Sequence, residues 1–430
     1  MADRFDLVYV RKQFPALRRT VNGRPAAYLD SPGGTQTPQC VLDAITRYLV
    51  DTNANVHGQF VTSEESDRLL EQAHAAVADL LGCSAPEVAF GANMTTLTLL
   101  LAQTIMRDLR PGDEIVITEL DHEANRGPWL HLAERGVVVR EAPVDPATCT
   151  LDYDALEALI GERTKVVAVG YASNAVGTVN DVARVVRAAK QVDALTVVDA
   201  VHWALHGPID VRALDCDFLL CSMYKVFGPH VGVMYGRRRV LERLRPLKLV
   251  TQEDELPFRF ETGTLNHEGM AGTIAAIEFI ADLGRRHDGA GGEAGRGAGG
   301  EAGRATDARR RHIVTGMRAA DAHEQPLAER LIDGLSEIRG VTVYGPPAGS
   351  PRTSTVSFTL DCFTAPEVAR ALGERGLFVW DGHFFALRLV DKLGLLERGG
   401  LVRVGLAPYN SAEEVERVIA AVGEIAKAIH

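Results

Sequence analysis

The chain has 430 residues, of which 46% are hydrophobic and 24% charged, a composition typical of a soluble globular protein with two domains. Its net charge of −11 argues against nucleic acid or an anionic membrane as a partner. The six cysteines are scattered without a Cys-x-x-Cys pair, so we expect neither a metal site nor a disulfide framework. The sequence has no signal-peptide pattern and no apolar run of about 18 residues, so we expect a cytoplasmic protein.

Short apolar runs alternate with helical patterns between residues 60 and 240. A helix is predicted over 62–82, where Thr62 and Glu65 have the spacing of a capping box. A second helix is predicted over 95–109. Strands are predicted at 87–90, 114–120, 165–173, 195–200, 217–221 and 231–236. This alternation predicts an α/β fold, with a large domain over 26–283 whose mostly parallel sheet is flanked by helices.

The stretch 284–312 differs in composition from the rest of the chain, because it contains the hexapeptide GGEAGR twice and few apolar residues. Such a segment buries too little apolar surface to offset its ordering entropy, so we predict a flexible, Gly-rich surface insertion. Helix and strand patterns beyond it predict a smaller α+β C-terminal domain over 313–430, against which residues 1–25 are expected to pack. Those patterns lie at 324–338, 353–360, 365–376 and 411–429.

Polar side chains follow successive predicted strands. Since ligands collect at the carboxyl ends of parallel strands, these side chains are candidates for one site. Each taken alone is better explained by an ordinary cap or turn, but their joint appearance is hard to produce by chance. They are, in chain order, Thr95, His122, Asn174, Asp199, His202 and Lys225.

Lys225 is the unusual member, because burial at the end of a core strand disfavours the charged form of an amine. It either extends its amine to a surface or serves as a low-pKa amine in covalent chemistry. The whole set suits pyridoxal 5′-phosphate, which needs a lysine, a carboxylate for its pyridine nitrogen, an anion site and a stacking partner. Asp199 would be that carboxylate, and Thr95 opens a helix that could hold the phosphate.

Four stretches resemble the cysteine desulfurase group of the class V (fold-type I) aminotransferase superfamily. They are VVDAVHWALHGPIDVRALDCDFLLCSMYKVFGPHVGVMYG, NGRPAAYLDSPGGTQTP, FETGTLN and VRVGLAPYNSAEEVERV. The resemblance covers nearly the whole chain outside the Gly-rich insertion. It implies a homodimer that binds pyridoxal phosphate on a large domain with a seven-stranded type of sheet and acts on a small amino-acid substrate.

The resemblance also implies a role for each matching residue. Lys225 would form the Schiff base and act as acid and base at Cα, Asp199 would pair with the pyridinium nitrogen, and His122 would stack on the ring. Asn174 and His202 would lie near O3′. The phosphate would be held by Thr95 and Ser222, joined by Thr264 from the other subunit. Met94 and Tyr224 would also bind the cofactor. The substrate would contact Arg403, which grips its carboxylate, together with His57, His383, Trp380 and Phe385.

Two departures from the family pattern matter for function. Tyr224 stands where the usual Ser-Gly-His-Lys has histidine. The loop R-x-G-H-x-C-A, whose cysteine takes sulfur as a persulfide in desulfurases, reads WDGHFFA at 380–386, with Phe385 in place of that cysteine. A phenyl group cannot attack sulfur, and Cys362 of the same domain is interpreted as a structural cysteine.

The favoured hypothesis is therefore a lyase that eliminates a Cβ (or Cγ) leaving group, with C–S cleavage among the candidate reactions, without a cysteine persulfide. An aromatic wall of Trp380, Phe384 and Phe385, together with His383, would shape the pocket for a side chain other than that of cysteine. The alternatives are a cysteine desulfurase using another thiol, an aminotransferase or an epimerase. A catalytically inactive sulfur-relay partner is the non-enzyme alternative, although it would need neither the lysine nor the carboxylate.

Overall fold

The computed structural model describes residues 5–289 and 301–427, and over 301–307 it defines the helical backbone. The helices are α1 (Leu7–Lys12), α2 (Gln39–Arg47), α3 (Val61–Leu81), α4 (Met94–Met106), α5 (Glu123–Leu130), α6 (Tyr153–Ala158), α7 (Val182–Lys190), α8 (Trp203–His206), α9 (Val211–Leu214), α10 (Arg238–Arg243), α11 (His267–Gly289), α12 (Glu301–Ser336), α13 (Ala365–Glu374), α14 (Leu387–Lys392) and α15 (Ala412–Lys427). The strands are β1 (Thr20–Val21), β2 (Arg24–Pro25), β3 (Ala27–Tyr28), β4 (Val88–Gly91), β5 (Glu114–Thr118), β6 (Val138–Ala142), β7 (Val144–Asp145), β8 (Thr150–Leu151), β9 (Thr164–Gly170), β10 (Leu195–Asp199), β11 (Phe218–Ser222), β12 (Gly232–Gly236), β13 (Val341–Tyr344), β14 (Thr355–Leu360), β15 (Leu377–Phe378), β16 (Trp380–Gly382) and β17 (Leu401–Gly405).

The large sheet has seven strands in the order β4-β12-β11-β10-β9-β5-β6. Neighbours from β11 to β6 are parallel, while β12 runs antiparallel to both β11 and β4. The predicted α/β fold with a mostly parallel sheet is therefore confirmed.

Helices cover both faces of this sheet, which explains the apolar side chains on both faces of its inner strands. In β5, Ile115 and Ile117 belong to one hydrophobic cluster, whereas Val116 between them belongs to the other. Because successive side chains of a strand point to opposite faces, both faces are core. The polar residues that follow the strands are then concentrated at one edge.

A smaller domain follows, built on the antiparallel sheet β13-β14-β17-β16. Its own hydrophobic cluster joins strands β14 and β17 to α12, α13 and α15. One end of β14 and the loop before it contact the large domain, where Ser357 Oγ donates to Ala175 O over 2.5 Å and Thr353 N donates to Gly177 O over 2.8 Å. This contact brings small-domain side chains to the strand ends of the large sheet.

The N-terminal segment contacts both domains. Arg11 Nη1 donates to Tyr409 O of the small domain over 2.7 Å, and the Phe14 ring packs 5.5 Å from the ring of Phe227 in the large domain. Strand β3 pairs in parallel with β15. The segment therefore ties the two domains together, which goes beyond the predicted packing on the small domain.

The ends of the predicted Gly-rich insertion, 284–312, are helical. Helix α11 extends to Gly289, and α12 begins at Glu301. A Cβ at Gly284 would lie 1.9 Å from His312 O, so this glycine serves close helix–helix packing rather than flexibility. Residues 290–300, for which flexibility was also predicted, lie outside the described residues.

Among the described helices, none combines the length and the apolar character that a bilayer-spanning helix requires.

Candidate active site

A cavity of about 530 Å³ opens at the carboxyl ends of the parallel strands, a volume in the usual range for small-molecule sites. Nine of the predicted site residues line it: Met94, Thr95, His122, Asn174, Asp199, His202, Ser222, Tyr224 and Lys225. Sheet topology alone brings these distant parts of the sequence together. The remaining predicted residues lie around the cavity or away from it, as described below.

Lys225 lies in the short turn after β11 and is buried. Burial, with a smaller contribution from the charge of Arg403, lowers the pKa of its amine to about 8, while the carboxylates of Asp199 and Asp30 oppose the shift. The neutral amine is therefore accessible near neutral pH, as a nucleophile or a base requires.

Asp199 ends β10, and its Oδ1 accepts a hydrogen bond of 2.9 Å from the backbone N–H of Val201. Burial raises the pKa of this carboxyl to about 6, although the Val201 N–H and the Lys225 charge oppose the shift. A buried carboxylate of this kind gains stability from a cationic partner in the cavity.

His122 precedes α5 and caps it, because its Nδ1 accepts from the Ala124 N–H at 2.9 Å. Burial, followed by the positive charges of Lys225 and Arg403, lowers the pKa of the ring to about 3. The imidazole is thus neutral with its proton on Nε2, and it can stack on a cationic ring without charge repulsion.

The small domain orients His202. Its Nε2 lies 3.0 Å from Thr353 Oγ1 and 3.1 Å from Thr355 Oγ1, both just before or at the start of β14. Burial lowers the pKa of this imidazole well below its ordinary value, so the ring is neutral. Asn174 is fixed similarly, because its side-chain amide donates to Phe384 O over 2.8 Å.

The N-terminus of α4 forms one corner of the cavity. The Met94 N–H donates to Ser222 Oγ over 3.0 Å, which joins the helix to the end of β11. Gly232 makes this approach possible, since a Cβ there would lie 2.4 Å from the carbonyl carbon of Asn93. Backbone donors and the hydroxyl of Thr95 at a helix N-terminus suit a phosphate group.

Arg403 lies in β17, buried behind the cavity. Its Nη2 donates to Asp30 Oδ1 over 2.6 Å and its Nη1 donates to Asn174 O over 3.0 Å. Among the described residues its Nε has no hydrogen-bond partner. The guanidinium is therefore held in place with one buried donor still unused.

The loop 383–386 approaches the cavity mouth from the small domain. Phe385 O accepts from the Glu123 N–H over 2.7 Å, and the Phe385 ring lies 5.2 Å from the ring of His122. His383 Nδ1 accepts from the Phe385 N–H over 3.1 Å. The Phe384 ring lies beneath the guanidinium of Arg403, so Phe384 supports that arginine and is not part of the predicted aromatic wall.

Three predicted residues lie away from this cavity. Thr264 and His57 are exposed, and His57 is engaged with Asp67 rather than with the site. Trp380 is 57% exposed and pairs with Arg403 across β16 and β17.

Asp121 is a cavity residue that the sequence reasoning missed. Its Oδ1 accepts from the Gly170 N–H and its Oδ2 from Asn125 Nδ2, each over 2.9 Å. Burial raises the pKa of its carboxyl to about 7, and the charge of Asp199 adds to the effect. A signal was available, since Asp121 follows a predicted strand directly before His122.

The aminotransferase class-V family model matches residues 27–292 and 310–418, which is most of the chain. The chain belongs to the class V aminotransferase family. It is 33% identical to the cysteine desulfurase of Yersinia pestis (strain Pestoides F), over 98% of this chain and 99% of that protein. It is 34% identical to the probable cysteine desulfurase of Vibrio cholerae, over 96% of each.

Solved structures agree with this class V assignment. The apo cysteine desulfurase of Thermococcus onnurineus superposes with a TM-score of 0.86 at 29% identity, over all of both chains. The S-sulfonic acid form of the cysteine desulfurase from Escherichia coli gives a TM-score of 0.82 at 27% identity, over 99% of both chains.

Class V enzymes of the cysteine desulfurase type use pyridoxal phosphate, and this cavity fits that cofactor. It places a buried amine at Lys225, a carboxylate at Asp199, a neutral imidazole at His122 and an anion corner at the start of α4. These are the groups that the cofactor needs. The chain is therefore a pyridoxal-phosphate enzyme of the class V type.

Proposed function

We propose that this enzyme is a lyase that eliminates a leaving group from Cβ (or Cγ) of an amino acid without passing sulfur to a protein cysteine. The observation that carries the proposal is Phe385. Its phenyl ring faces His122 at the cavity mouth, where the desulfurase pattern has its cysteine. Within the described chain, none of the residues lining the cavity is a cysteine.

Three of the other thiols are poorly placed to replace it. Cys216 and Cys221 are buried, and burial raises the pKa of each thiol to about 12. Cys362 is exposed, which corrects its interpretation as a packed cysteine. It follows β14, whose opposite end contacts His202, and the strand separates the two ends by roughly 17 Å.

The chain's own residues account for proton removal at Cα. Bound pyridoxal phosphate supplies an electron sink for the electrons that this step releases. Lys225 takes the proton, because its lowered pKa of about 8 leaves a substantial neutral fraction. With the cofactor bound, Asp199 would stabilise positive charge on its ring, and neutral His122 would stack on that ring.

Arg403 is the candidate for binding the substrate carboxylate. Asp30 and Asn174 O fix the guanidinium, and its buried Nε–H still lacks an acceptor among the described residues. A buried unpaired donor is costly, and a carboxylate would satisfy it. The substrate Cα would then lie between Arg403 and Lys225.

The cavity mouth favours a substrate larger than cysteine. Phe385 is 63% exposed, and its ring lies 5.2 Å from the ring of His122, on the side where the substrate side chain would project. Such an exposed ring gains from contact with an apolar or aromatic leaving group. We therefore propose an amino acid with an apolar substituent, linked through sulfur in the first candidates to be tested.

We also propose a homodimer with shared sites. Thr264 and His57 are exposed outside the cavity of their own chain, as expected of residues that complete the partner's cavity. A cluster of exposed apolar side chains between 49 and 61, including Val50, Phe60 and Val61, supports burial of this surface against a second copy.

Cysteine desulfurase is the second candidate, because the relatives that match along the full chain carry that name. The experiment incubates the cofactor-loaded protein with cysteine, S-alkylcysteines and S-arylcysteines, without a keto-acid acceptor. A lyase should release ammonia, pyruvate and the free thiol in equal amounts, faster with the larger substituents. Turnover that gives alanine from cysteine would establish desulfurase activity, whereas a need for a keto-acid acceptor would indicate transamination.

A further inference from the structure

The cavity is lined by a third imidazole besides those of His122 and His202. His230 precedes β12 and lines the cavity together with Thr95 and Ser222. Its ring stacks on the ring of Tyr224, with centroids 4.9 Å apart and planes inclined by 11°. The side chain is exposed, and among the described residues no hydrogen bond engages either of its ring nitrogens. The ring is thus held in orientation while its donors stay available.

Strand pairing places His230 at the anion corner. Ser222 pairs with Gly232, and Gly232 in turn pairs with Gly91 at the end of β4. The Met223 N–H donates to Val231 O over 2.8 Å, which fixes the residue next to His230 against the end of β11. The start of α4, the end of β11 and the segment before β12 therefore converge on one place.

This corner otherwise offers neutral donors. Met94 and Thr95 contribute backbone and hydroxyl groups at the start of α4, and Ser222 contributes a hydroxyl. A phosphate monoester carries between about one and a half and two negative charges near neutral pH. Lys225 and Arg403 are buried, and Arg403 is already hydrogen-bonded to Asp30 and Asn174 O. A further hydrogen-bond donor at this corner would therefore help to hold the phosphate.

We propose that His230 binds the phosphate of pyridoxal phosphate by donating a hydrogen bond from its imidazole ring. Tyr224 orients its ring by stacking. The usual Ser-Gly-His-Lys pattern has a histidine where this chain has Tyr224. His230 would supply an imidazole to the phosphate from a different position. The proposal rests on the cofactor and does not depend on which reaction the enzyme catalyses.

The test distinguishes the contribution of the phosphate to binding from that of the rest of the cofactor. Apo protein is titrated with pyridoxal phosphate and with pyridoxal, which lacks the phosphate, and binding is followed by the visible absorbance of the bound ligand. His230→Phe keeps the ring stacking but removes both ring nitrogens, whereas His230→Gln keeps a donor without the stacking. His131→Gln, at an exposed position away from the cavity, is the control.

We expect His230→Phe to weaken binding of pyridoxal phosphate by about 10- to 100-fold, the effect of one hydrogen bond to a charged group, and to leave pyridoxal binding unchanged. His230→Gln should lie between the wild type and His230→Phe. Unchanged affinity for pyridoxal phosphate in His230→Phe, or equal weakening of both ligands, would overturn the proposal.

A second measurement uses the wild-type protein. The His230 ring resonances in nuclear magnetic resonance spectra should shift when inorganic phosphate is added to the apo protein, and an equal concentration of chloride should leave them in place. Identical spectra with the two anions would contradict the proposal independently of any variant.

Discussion

The buried ion pair of His74 and Glu261 makes the stability of the fold depend on pH. His74 of α3 places Nδ1 2.7 Å from Leu70 O and Nε2 2.9 Å from Glu261 Oε1. Both neighbours are acceptors, so both ring nitrogens must donate, and only the imidazolium can do so. Glu261 also accepts from the Phe90 N–H over 2.8 Å, and it begins the segment that leads to Thr264.

The pKa of His74 is raised as the net result of opposing causes. Burial lowers it, but the hydrogen bond and charge of Glu261, with the Leu70 carbonyl, outweigh that effect. Because the folded pKa exceeds the unfolded value of about 6.5, the stabilisation is complete below that pH and is lost as pH rises through the folded pKa. One hydrogen bond between charged groups contributes about 1.5–3 kcal/mol.

The perturbation is His74→Gln, which retains one donor toward Glu261 without the charge. The free energy of unfolding, measured by urea denaturation with circular dichroism, should fall by about 1.5–3 kcal/mol at pH 6 relative to the wild type. This difference should shrink as pH rises through the folded pKa of His74. His131→Gln should stay within about 0.5 kcal/mol of the wild type throughout. A difference for His74→Gln that is constant with pH, or grows toward alkaline pH, would refute the reasoning.

The remaining predictions concern the site. Borohydride should fix pyridoxal phosphate onto Lys225, and the same adduct in Lys225→Ala would show that the lysine is wrongly assigned. Mixed dimers of Lys225→Ala and Thr264→Ala chains should regain one tight, reducible cofactor site, whereas occupancy no higher than in either parent would exclude a shared site. Phe385→Cys should form at most traces of persulfide. Arg403 is paired with Asp30 and His122 is neutral, so neither supplies a free positive charge that would lower the pKa of the new thiol. Stoichiometric persulfide in this variant would contradict the reasoning.

Much of the site could be predicted because each of its residues follows a recognisable strand. Asp199, for example, ends a Val-rich run, and parallel pairing then carries it to the same edge as the residues after β5 and β9. Local pattern and global topology agree at these positions. The same logic would have included Asp121 if every polar residue after a strand had been considered.

Other features depend on contacts between distant parts of the chain. The contacts of His202 with Thr353 and of His74 with Glu261 cannot be predicted from local sequence patterns. They depend on how α3, β14 and the loops pack together. The predicted capping box at Thr62 is also wrong, because α3 begins at Val61 with Phe60 as its N-cap. Gly284 was interpreted as part of a flexible segment, although a glycine that permits close helix packing has the same local sequence appearance.

The central claim is that sulfur, where it is the leaving group, departs without binding to the protein. The most direct measurement is peptide mass spectrometry of the cofactor-loaded enzyme, trapped with an alkylating reagent during turnover of cysteine and of S-arylcysteine. We expect free sulfide or thiol in solution and no persulfide on any cysteine, with turnover unchanged in Cys362→Ser. A stoichiometric persulfide on Cys362 that disappears together with turnover in Cys362→Ser would contradict it.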